Sequence, residues 1–178
     1  MEIHSKRLML QEISKKDAEI IHRLHSVPEV DEFNTLGIPK SLEETKTIIL
    51  TDIKDQKKSI RSRFCWKIIL AEKQTFIGLA GLFLSNDRFK RGEFYYQFFP
   101  EFWGNGYATE TAKAIIKFGF NQFHLHRIEA GVATQNTASV RVLEKAGMTR
   151  EGIRRKILPI RGTWKDNYHY SILEDEFY

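Results

Sequence analysis

Two glycines between a strand-like run and a helical run are the residues that most clearly suggest chemistry. An aromatic, strand-like stretch ends at Pro100, Gly104 and Gly106 follow, and a helical pattern begins near Ala108. Glycines here let the backbone turn so that several N–H groups point one way, into the positive end of the helix. Such a loop binds phosphate or pyrophosphate without a charged side chain. The same glycines also suit a plain strand-to-helix turn, so this segment alone leaves both interpretations open.

Three classes of anion-binding loop compete for this segment. A P-loop ends in Gly-Lys-Ser/Thr, which is absent here. A dinucleotide-binding fingerprint needs Gly or Ala where Thr109 stands, although Glu129 lies near the acidic position that it also requires. That fingerprint would begin in the second half of the chain, which leaves too few residues for its sheet. The third class is a coenzyme A pyrophosphate loop, which the downstream sequence favours.

Five ordered segments resemble one enzyme family over nearly the whole chain. Residues 103–110 are similar to the pyrophosphate loop of the GCN5-related N-acetyltransferases (GNAT superfamily), and most similar to the branch with the Rim-type ribosomal-protein N-acetyltransferases. Residues 77–82 resemble the third strand of that branch, and residues 136–148 its Asn-x-x-Ser…Glu-Lys-x-Gly helix. Residues 164–166 resemble the final strand, and residues 7–10 are similar to the opening one.

The resemblance implies acetyl-CoA as cosubstrate and no metal. In this superfamily the fourth strand splays from the fifth, and the pantetheine arm lies in the gap between them. Asn136 has two interpretations, a helix N-cap and a hydrogen bond to the cofactor arm, and the two are compatible. The residues that the resemblance assigns to the cofactor are Phe98, Trp103, Gly104, Asn105, Gly106, Tyr107, Ala108, Thr109 and Asn136.

The resemblance also implies direct transfer of the acetyl group to an amine, with two catalytic residues. Ser139 would protonate the departing thiolate, although a solvent-facing helix serine has the same pattern. Glu93 would take the proton of the amine, and its aromatic neighbours are expected to raise its pKa by partial desolvation. The alternative for Glu93 is a carboxylate paired with Arg91 or Arg88. Tyr96 is a further candidate as an acid or as a cofactor contact.

Two residues depart from the family pattern. Trp103 stands where the superfamily usually has Arg or Gln, a change that this branch often tolerates. Tyr95 stands where the branch usually has Gly, and its ring is expected to narrow or reshape the acceptor side of the cleft. The peptide substrate of the branch therefore cannot be assumed from the resemblance.

Hydrophobic periodicity predicts the elements that must hold these residues. Strands are predicted at residues 7–10, 64–71, 75–84, 92–99, 128–132 and 164–173, and Asn86 and Asp87 open a basic loop. Helices are predicted after Ser14 and up to Pro28, over residues 42–49, over 108–119, and from 137 to a C-cap at Gly147. The predicted fold is α+β: one GNAT-type domain over residues 1–178, with a mixed central sheet, splayed strands four and five and flanking helices.

Composition limits the remaining possibilities. The 178 residues carry 28 Lys+Arg and 23 Asp+Glu, a formal net charge of +5, and the single Cys65 excludes an internal disulfide. No apolar run approaches the roughly 20 residues needed to cross a bilayer, so a cytoplasmic protein with no membrane partner is expected. The pairs His22/His25 and His124/His126 are predicted to be surface histidines rather than metal ligands.

Two basic stretches account for much of the positive charge, one over residues 54–63 and one over residues 150–165. A solvated face is the default interpretation, and the alternatives are attraction of an anionic cofactor or docking on ribosomal RNA or an acidic protein.

The sequence therefore predicts an acetyl-CoA-dependent N-acetyltransferase acting on the N-terminal or another amine of a protein or peptide. A ribosome or acidic surface and a homodimer are further expected partners. The alternatives are acetylation of a polyamine or aminoglycoside, and a non-catalytic acyl-CoA-binding or RNA-docking module on the same fold.

Overall fold

A computed structural model of the chain describes residues 1–85 and 88–177, so the predicted loop opening at Asn86 and Asp87 lies outside the described residues. Its strands form one sheet in the order β1-β2-β3-β4-β5-β6-β8-β7. The strands are β1 (Glu2–His4), β2 (Leu8–Glu12), β3 (Arg63–Leu70), β4 (Thr75–Leu84), β5 (Arg91–Phe98), β6 (Arg127–Ala133), β7 (Thr149–Ile160) and β8 (Thr163–Leu173). The helices are α1 (Ala18–His25), α2 (Pro28–Asp31), α3 (Leu42–Asp55), α4 (Tyr107–Phe123) and α5 (Thr137–Lys145).

The sheet is mixed because one pair of neighbouring strands is parallel. Strands β1 to β5 pair antiparallel in sequence order, β5 pairs parallel with β6, and β6, β8 and β7 are again antiparallel. A parallel pair needs a crossover connection, and α4 supplies it. The predicted strands four and five correspond to β5 and β6, and the predicted α+β fold with a mixed sheet is confirmed.

Two hydrophobic cores form on opposite faces of the sheet, because side chains alternate along each strand. Phe64 and Trp66 of β3 join the first core, which α4 covers with residues such as Ile115 and Ile116. Cys65, between them in sequence, joins the second core with Ile21 of α1 and Ile49 of α3. Helices therefore flank the sheet on both sides, as expected.

Hydrogen bonds at the helix N-termini lie where the sequence predicts helices to begin. The Asp17 carboxylate accepts hydrogen bonds from the backbone N–H and the hydroxyl of Ser14, both at 2.8 Å, at the turn that leads into α1. Ser41 accepts from the N–H of Glu44 at the start of α3. Ala146 is the C-cap of α5, and the predicted Gly147 follows it with a φ of +91°, the left-handed conformation that ends many helices.

One prediction about the elements was wrong, and two strands were not predicted. Pro28 was predicted to close the first helix, but α1 ends at His25 and Pro28 is the first residue of α2, where its missing N–H costs nothing. The strand β7 was not predicted, because its residues face solvent at the sheet edge and lack the apolar alternation of a half-buried strand. The short strand β1 was also missed.

No helix in the described part of the chain is long and apolar enough to span a membrane.

Candidate active site

Strands β5 and β6 stay paired over only three residue pairs. Arg91 pairs with Arg127, Gly92 with Ile128 and Glu93 with Glu129. Beyond that point β5 continues to pair only with β4, and β6 only with β8. A V-shaped gap opens at the centre of the sheet, as expected for the predicted strands four and five.

The β5 wall of this gap presents backbone groups without a strand opposite. The N–H of Phe99 donates to the carbonyl of Ile77 on the β4 side at 3.1 Å. Because peptide groups alternate in direction along a strand, those of Phe98 and Tyr96 point the other way, into the gap.

The β6 wall follows the same rule. The N–H of Thr134 donates to the carbonyl of Asp166 on the β8 side at 3.1 Å. The peptide groups of Gly131 and Ala133 therefore face the gap. An extended chain lying between the strands meets hydrogen-bonding groups on both sides.

A helix start without a side-chain cap lies at one end of the gap. Gly104 and Gly106 have φ values of +74° and +79°, a left-handed conformation that residues with a Cβ adopt at a cost. Gly106 is the N-cap of the 17-residue α4, and no side chain caps this end. The N–H groups of the first turn therefore remain free to bind an anion, with the helix dipole behind them.

Trp103 ties this loop to the end of β5. Its indole Nε1–H donates to the carbonyl of Phe98 at 2.9 Å, while the ring is half exposed. The side-chain amide of Asn105 donates to the carbonyl of Trp103 at 2.9 Å. The carbonyl of Phe98 is thus already engaged, and its N–H is the group that remains for a ligand in the gap.

Arg7 ties the same loop to the N-terminal turn between β1 and β2. Its Nε–H donates to Glu110 Oε2 at 2.7 Å, and its backbone N–H donates to Glu110 Oε1 at 2.7 Å. Its Nη1–H donates to the carbonyl of Asn105 at 3.0 Å, and the guanidinium carbon lies 4.5 Å from the centroid of the Tyr107 ring. A positive charge therefore adjoins a loop that contains no Lys or Arg of its own.

A cavity of about 450 Å³ occupies the gap and extends beneath α1, α2 and α3; we call it the central cavity. The β5 residues 94–97 and the β6 residues 130–133 form its walls. The rest of its lining is mostly apolar and includes Val30, Leu36, Ile48, Leu79 and Leu158.

Asn136, Ser139 and Tyr96 meet at one end of the central cavity. Asn136 is the N-cap of α5, because its Oδ1 accepts from the N–H of Ser139 at 3.1 Å, so the predicted N-cap is confirmed. The Tyr96 hydroxyl is enclosed and makes no full hydrogen bond to a described residue. Burial raises the pKa of Tyr96 to about 12, although the nearby Ser139 hydroxyl lowers it. Tyr96 therefore stays protonated at neutral pH and can donate.

Tyr95 reaches the opposite part of the cavity by lying over Gly81. A Cβ at Gly81 would overlap the Tyr95 ring, so only glycine allows this arrangement. The ring stacks on Phe83 with centroids 5.5 Å apart, and the Tyr95 hydroxyl lies 3.3 Å from Cys65 Sγ. Burial raises the pKa of the Cys65 thiol to about 12, so the thiol is not a nucleophile at neutral pH.

The carboxylates on and beside the central cavity are bonded to arginines. Asp52 of α3 lines the cavity and accepts from Arg63 Nε–H at 2.7 Å; burial raises its pKa despite the arginine. Asp31 of α2 accepts from Arg161 Nε–H at 3.2 Å, and Arg161 also donates to the carbonyl of Pro28 at 2.7 Å. Arg161 thus links the turn of the β7–β8 hairpin to α2.

The basic stretch over residues 54–63 is partly structural rather than a solvated face. Lys58 pairs with Asp55 at 2.8 Å, Arg61 pairs with Glu12, and Arg63 pairs with Asp52. The stretch over residues 150–165 lies on the β7–β8 hairpin, where most of its side chains are exposed.

Glu93 lies at the point where β5 and β6 separate, and its side chain is exposed. Phe94 points to the opposite face of the strand, so the aromatic neighbours do not enclose the carboxylate as expected. No ion pair joins Glu93 to Arg88 or Arg91 within residues 1–85 and 88–177. Glu93 is not among the residues that line the central cavity.

The splayed strands, the glycine loop and the helix start match a known family. Residues 7–149 match the family model described as "Acetyltransferase (GNAT) domain". This chain belongs to the GNAT acetyltransferase family. It is 33% identical over 174 residues to "Uncharacterized N-acetyltransferase YoaA" of Bacillus subtilis, a match that covers 97% of this chain and 96% of the relative.

Two solved structures share the fold of this GNAT acetyltransferase. Spermidine N-acetyltransferase from Vibrio cholerae, in complex with CoA and spermine, has a TM-score of 0.85 at 23% identity and covers 97% of this chain and 99% of its own. Ribosomal-protein-S5-alanine acetyltransferase from Vibrio fischeri has a TM-score of 0.84 at 22% identity and covers 100% and 99%. At these identities the likeness shows the fold alone.

The GNAT enzyme uses acetyl-CoA, and its own residues fit that cosubstrate. The uncapped start of α4 suits the pyrophosphate, and the open peptide groups of β5 and β6 suit a pantetheine arm. When bound, acetyl-CoA supplies an activated acetyl group for transfer to an amine. No group of three His, Cys, Asp or Glu side chains in the described ranges is placed to hold a metal ion.

Sequence reasoning missed two residues of this site. Arg7 was read only as part of a strand motif, because Glu110 lies 103 residues away in sequence. His25 was predicted to be a surface histidine, which is wrong: it is 6% exposed and lines the central cavity. Its spacing of one turn from Ile21 on the apolar face of α1 was the available signal. His124 and His126 are exposed, as predicted.

Proposed function

We propose that this acetyltransferase acetylates the N-terminal amine, or another single amine, of a protein or peptide. The observation that carries the proposal is that the carboxylates at the cavity are already paired. Asp52 in the cavity and Asp31 beside it each form an ion pair with an arginine. A polyamine or aminoglycoside carries several cations, which need free carboxylates. One amine next to an apolar side chain fits the mostly apolar lining better.

The chemistry also favours an N-terminal amine. The amine must be neutral to attack the thioester, and an α-amine has a pKa of about 7.7–8.0 against about 10.4 for lysine. A larger fraction of an α-amine is therefore reactive at neutral pH. The net charge of +5 further disfavours polycationic acceptors.

The predicted site residues take these roles in the proposal. Residues 103–109 hold the pyrophosphate through backbone N–H groups, and Phe98 and Asn136 bond to the cofactor arm. Ser139, next to the protonated Tyr96, returns a proton to the departing thiolate. That Glu93 acts as the base stays a prediction. An unchanged rate in Glu93→Gln would exclude it. Docking to a ribosome or an acidic surface and formation of a homodimer also stay predictions.

A panel of amines tests the acceptor class. Thiol release from acetyl-CoA is measured with peptides that begin with Ala or Ser, with the same peptides blocked at the N-terminus but containing lysine, with spermidine and with an aminoglycoside. We expect kcat/KM for the free N-termini to be at least about tenfold above every other amine. Preference for spermidine or the aminoglycoside would contradict the proposal.

A further inference from the structure

A histidine that the sequence motifs do not single out lies inside the central cavity. His25 is the last residue of α1, is almost fully buried, and lines the same cavity as Tyr96, Gln97 and Ser139. The other ionisable groups in that cavity are poor proton acceptors at neutral pH. The Cys65 thiol and the Tyr96 phenol keep their protons, and Asp52 is bonded to Arg63.

His25 has an unpartnered polar atom inside the cavity. His25 Nδ1 and Gln97 Oε1 are both enclosed, and neither makes a hydrogen bond to any described residue, including each other. Buried polar atoms in folded proteins are nearly always hydrogen-bonded, so an enclosed ring nitrogen without a partner points to a ligand group that enters the cavity.

We propose that His25 is the group that accepts the proton of the attacking amine. The amine nitrogen forms a bond to the acetyl carbon, the bond from that carbon to sulfur breaks, and the sulfur takes a proton from the Ser139–Tyr96 end of the cavity. The extra proton on the new amide nitrogen passes to His25 and then to solvent, and the donor at the Ser139–Tyr96 end recovers its proton from solvent. In this scheme Glu93 has no part in proton transfer. The inference rests on amine acetylation but not on which amine is the acceptor.

The surroundings of His25 set the expected pH dependence. Burial lowers its pKa below the ordinary value of 6.5, and His22 on the same helix lowers it further, whereas Gln97 opposes the change. The titratable groups of other elements that line the same cavity are Asp52 of α3, Arg63 and Cys65 of β3, and Tyr95 and Tyr96 of β5. The imidazole is therefore neutral at pH 7 and able to accept a proton. We therefore expect kcat/KM to decrease only when the pH falls below 6.5, the ordinary pKa of histidine.

The pH profile of kcat/KM tests the proposal. It is measured with whichever amine of the panel above reacts best, so the test remains valid if the proposed acceptor class is wrong. We expect His25→Gln to lower kcat/KM at least about 100-fold, as for loss of a general base, and to remove the acidic limb. The acetyl-CoA-induced rise in Tm should stay unchanged. His124→Asn, at an exposed helix end, is the matched control, and it should stay within about threefold of the wild type.

Two further variants separate a chemical role from a structural one. In His25→Ala, added imidazole should restore part of the rate, which it cannot do for a merely misfolded site. In Gln97→Glu, a carboxylate near the imidazole should move the acidic limb to higher pH, since it stabilises the imidazolium. The proposal is overturned if His25→Gln keeps the rate and the limb, if Glu93→Gln removes the limb, or if neither imidazole nor Gln97→Glu has an effect.

Discussion

At the scale of single residues, one side of the central cavity depends on a glycine on the neighbouring strand. Gly81 of β4 pairs with Tyr95 of β5, and the missing Cβ leaves room for the ring to lie flat on the sheet. The ring closes one side of the cavity and contacts Phe83 and Cys65. A residue that departs from the family pattern is thus accommodated by its partner on the next strand.

Gly81→Ala should force the Tyr95 ring out of place. We expect a loss of about 1–3 kcal/mol in the free energy of unfolding, measured by urea denaturation, because the new Cβ overlaps a buried ring. Gly152→Ala is the control, since a Cβ there meets nothing within 4 Å. In a Tyr95→Ala background the cost of Gly81→Ala should largely disappear. Equal costs in both backgrounds would show that the overlap is not the cause.

At the scale of elements, the start of α4 is held in place by the turn between β1 and β2. Arg7 donates to both Glu110 in the first turn of α4 and Asn105 in the loop. Burial raises the pKa of Glu110, but hydrogen bonds from Arg7 and Ser5 outweigh it and hold the pKa below its ordinary value. The loop geometry therefore depends on a contact between distant parts of the chain.

Arg7→Ala should weaken acetyl-CoA binding while leaving chemistry almost intact. We expect the Kd for acetyl-CoA to rise about tenfold, as for loss of hydrogen bonds to a charged group, with kcat within about twofold. The Kd of Arg7→Lys should lie between those of the wild type and Arg7→Ala, because lysine keeps the charge but lacks the planar guanidinium with its several N–H donors. Lys6→Ala removes the same charge from an exposed neighbour, and it should have no effect. A larger loss of kcat than of cofactor affinity would contradict a role in positioning the loop.

The β7–β8 hairpin and α2 are joined beside the cavity by Arg161. Leu158 from the hairpin and Val30 from α2 both line the cavity, so this link holds two parts of its lining together. We expect Arg161→Ala to raise the KM for the acceptor about three- to tenfold. The Kd for acetyl-CoA should not change, whereas Tm should fall, because the variant leaves the buried Asp31 carboxylate without its arginine partner. Arg155→Ala, on the same hairpin, is the control; an equal effect there would point to charge rather than to the link.

At the scale of the whole molecule, acid stability depends on carboxylates whose folded pKa is lowered. Burial raises the pKa of Asp55. Hydrogen bonds from Lys58 and from the N–H groups of Arg63 and Ser62 outweigh this effect and hold the pKa below the ordinary 3.8. The pKa values of Glu12 and Asp17 are lowered in the same way by Arg61 and Lys67. A lowered folded pKa stabilises the protein above the unfolded pKa, and this stability is lost as pH falls through the folded value.

Stability should therefore decrease below about pH 4, and Asp55→Asn should flatten that decrease. An earlier decrease should begin in both proteins as pH falls through 6.5, because burial lowers the folded pKa of His25. At pH 7 the variant should lose about 2 kcal/mol, because the hydrogen bonds to a charged acceptor are weakened. Urea denaturation between pH 7 and pH 3 measures both effects. Asp175→Asn, an exposed carboxylate near the C-terminus, should match the wild type. A parallel decrease in both variants would show that Asp55 does not contribute.

The sequence alone determined the features that depend on local backbone and periodicity. Gly104 and Gly106 allow left-handed backbone where the loop turns, Asn136 caps α5, and alternating apolar residues define the buried strands. These features need only neighbours in sequence, so they could be predicted. The edge strand β7 could not, because its exposed residues lack that alternation.

The tertiary structure alone decided which distant side chains meet. It brought Arg7 to Glu110 and Asn105, laid Tyr95 over Gly81, and buried His25 beside Gln97, all between elements far apart in the chain. Packing and hydrogen-bond geometry across the sheet fix such pairs, and no local spacing encodes them. Local sequence therefore determines the glycine loop and the helix cap, whereas the lining of the central cavity forms only when the helices pack over the splayed strands.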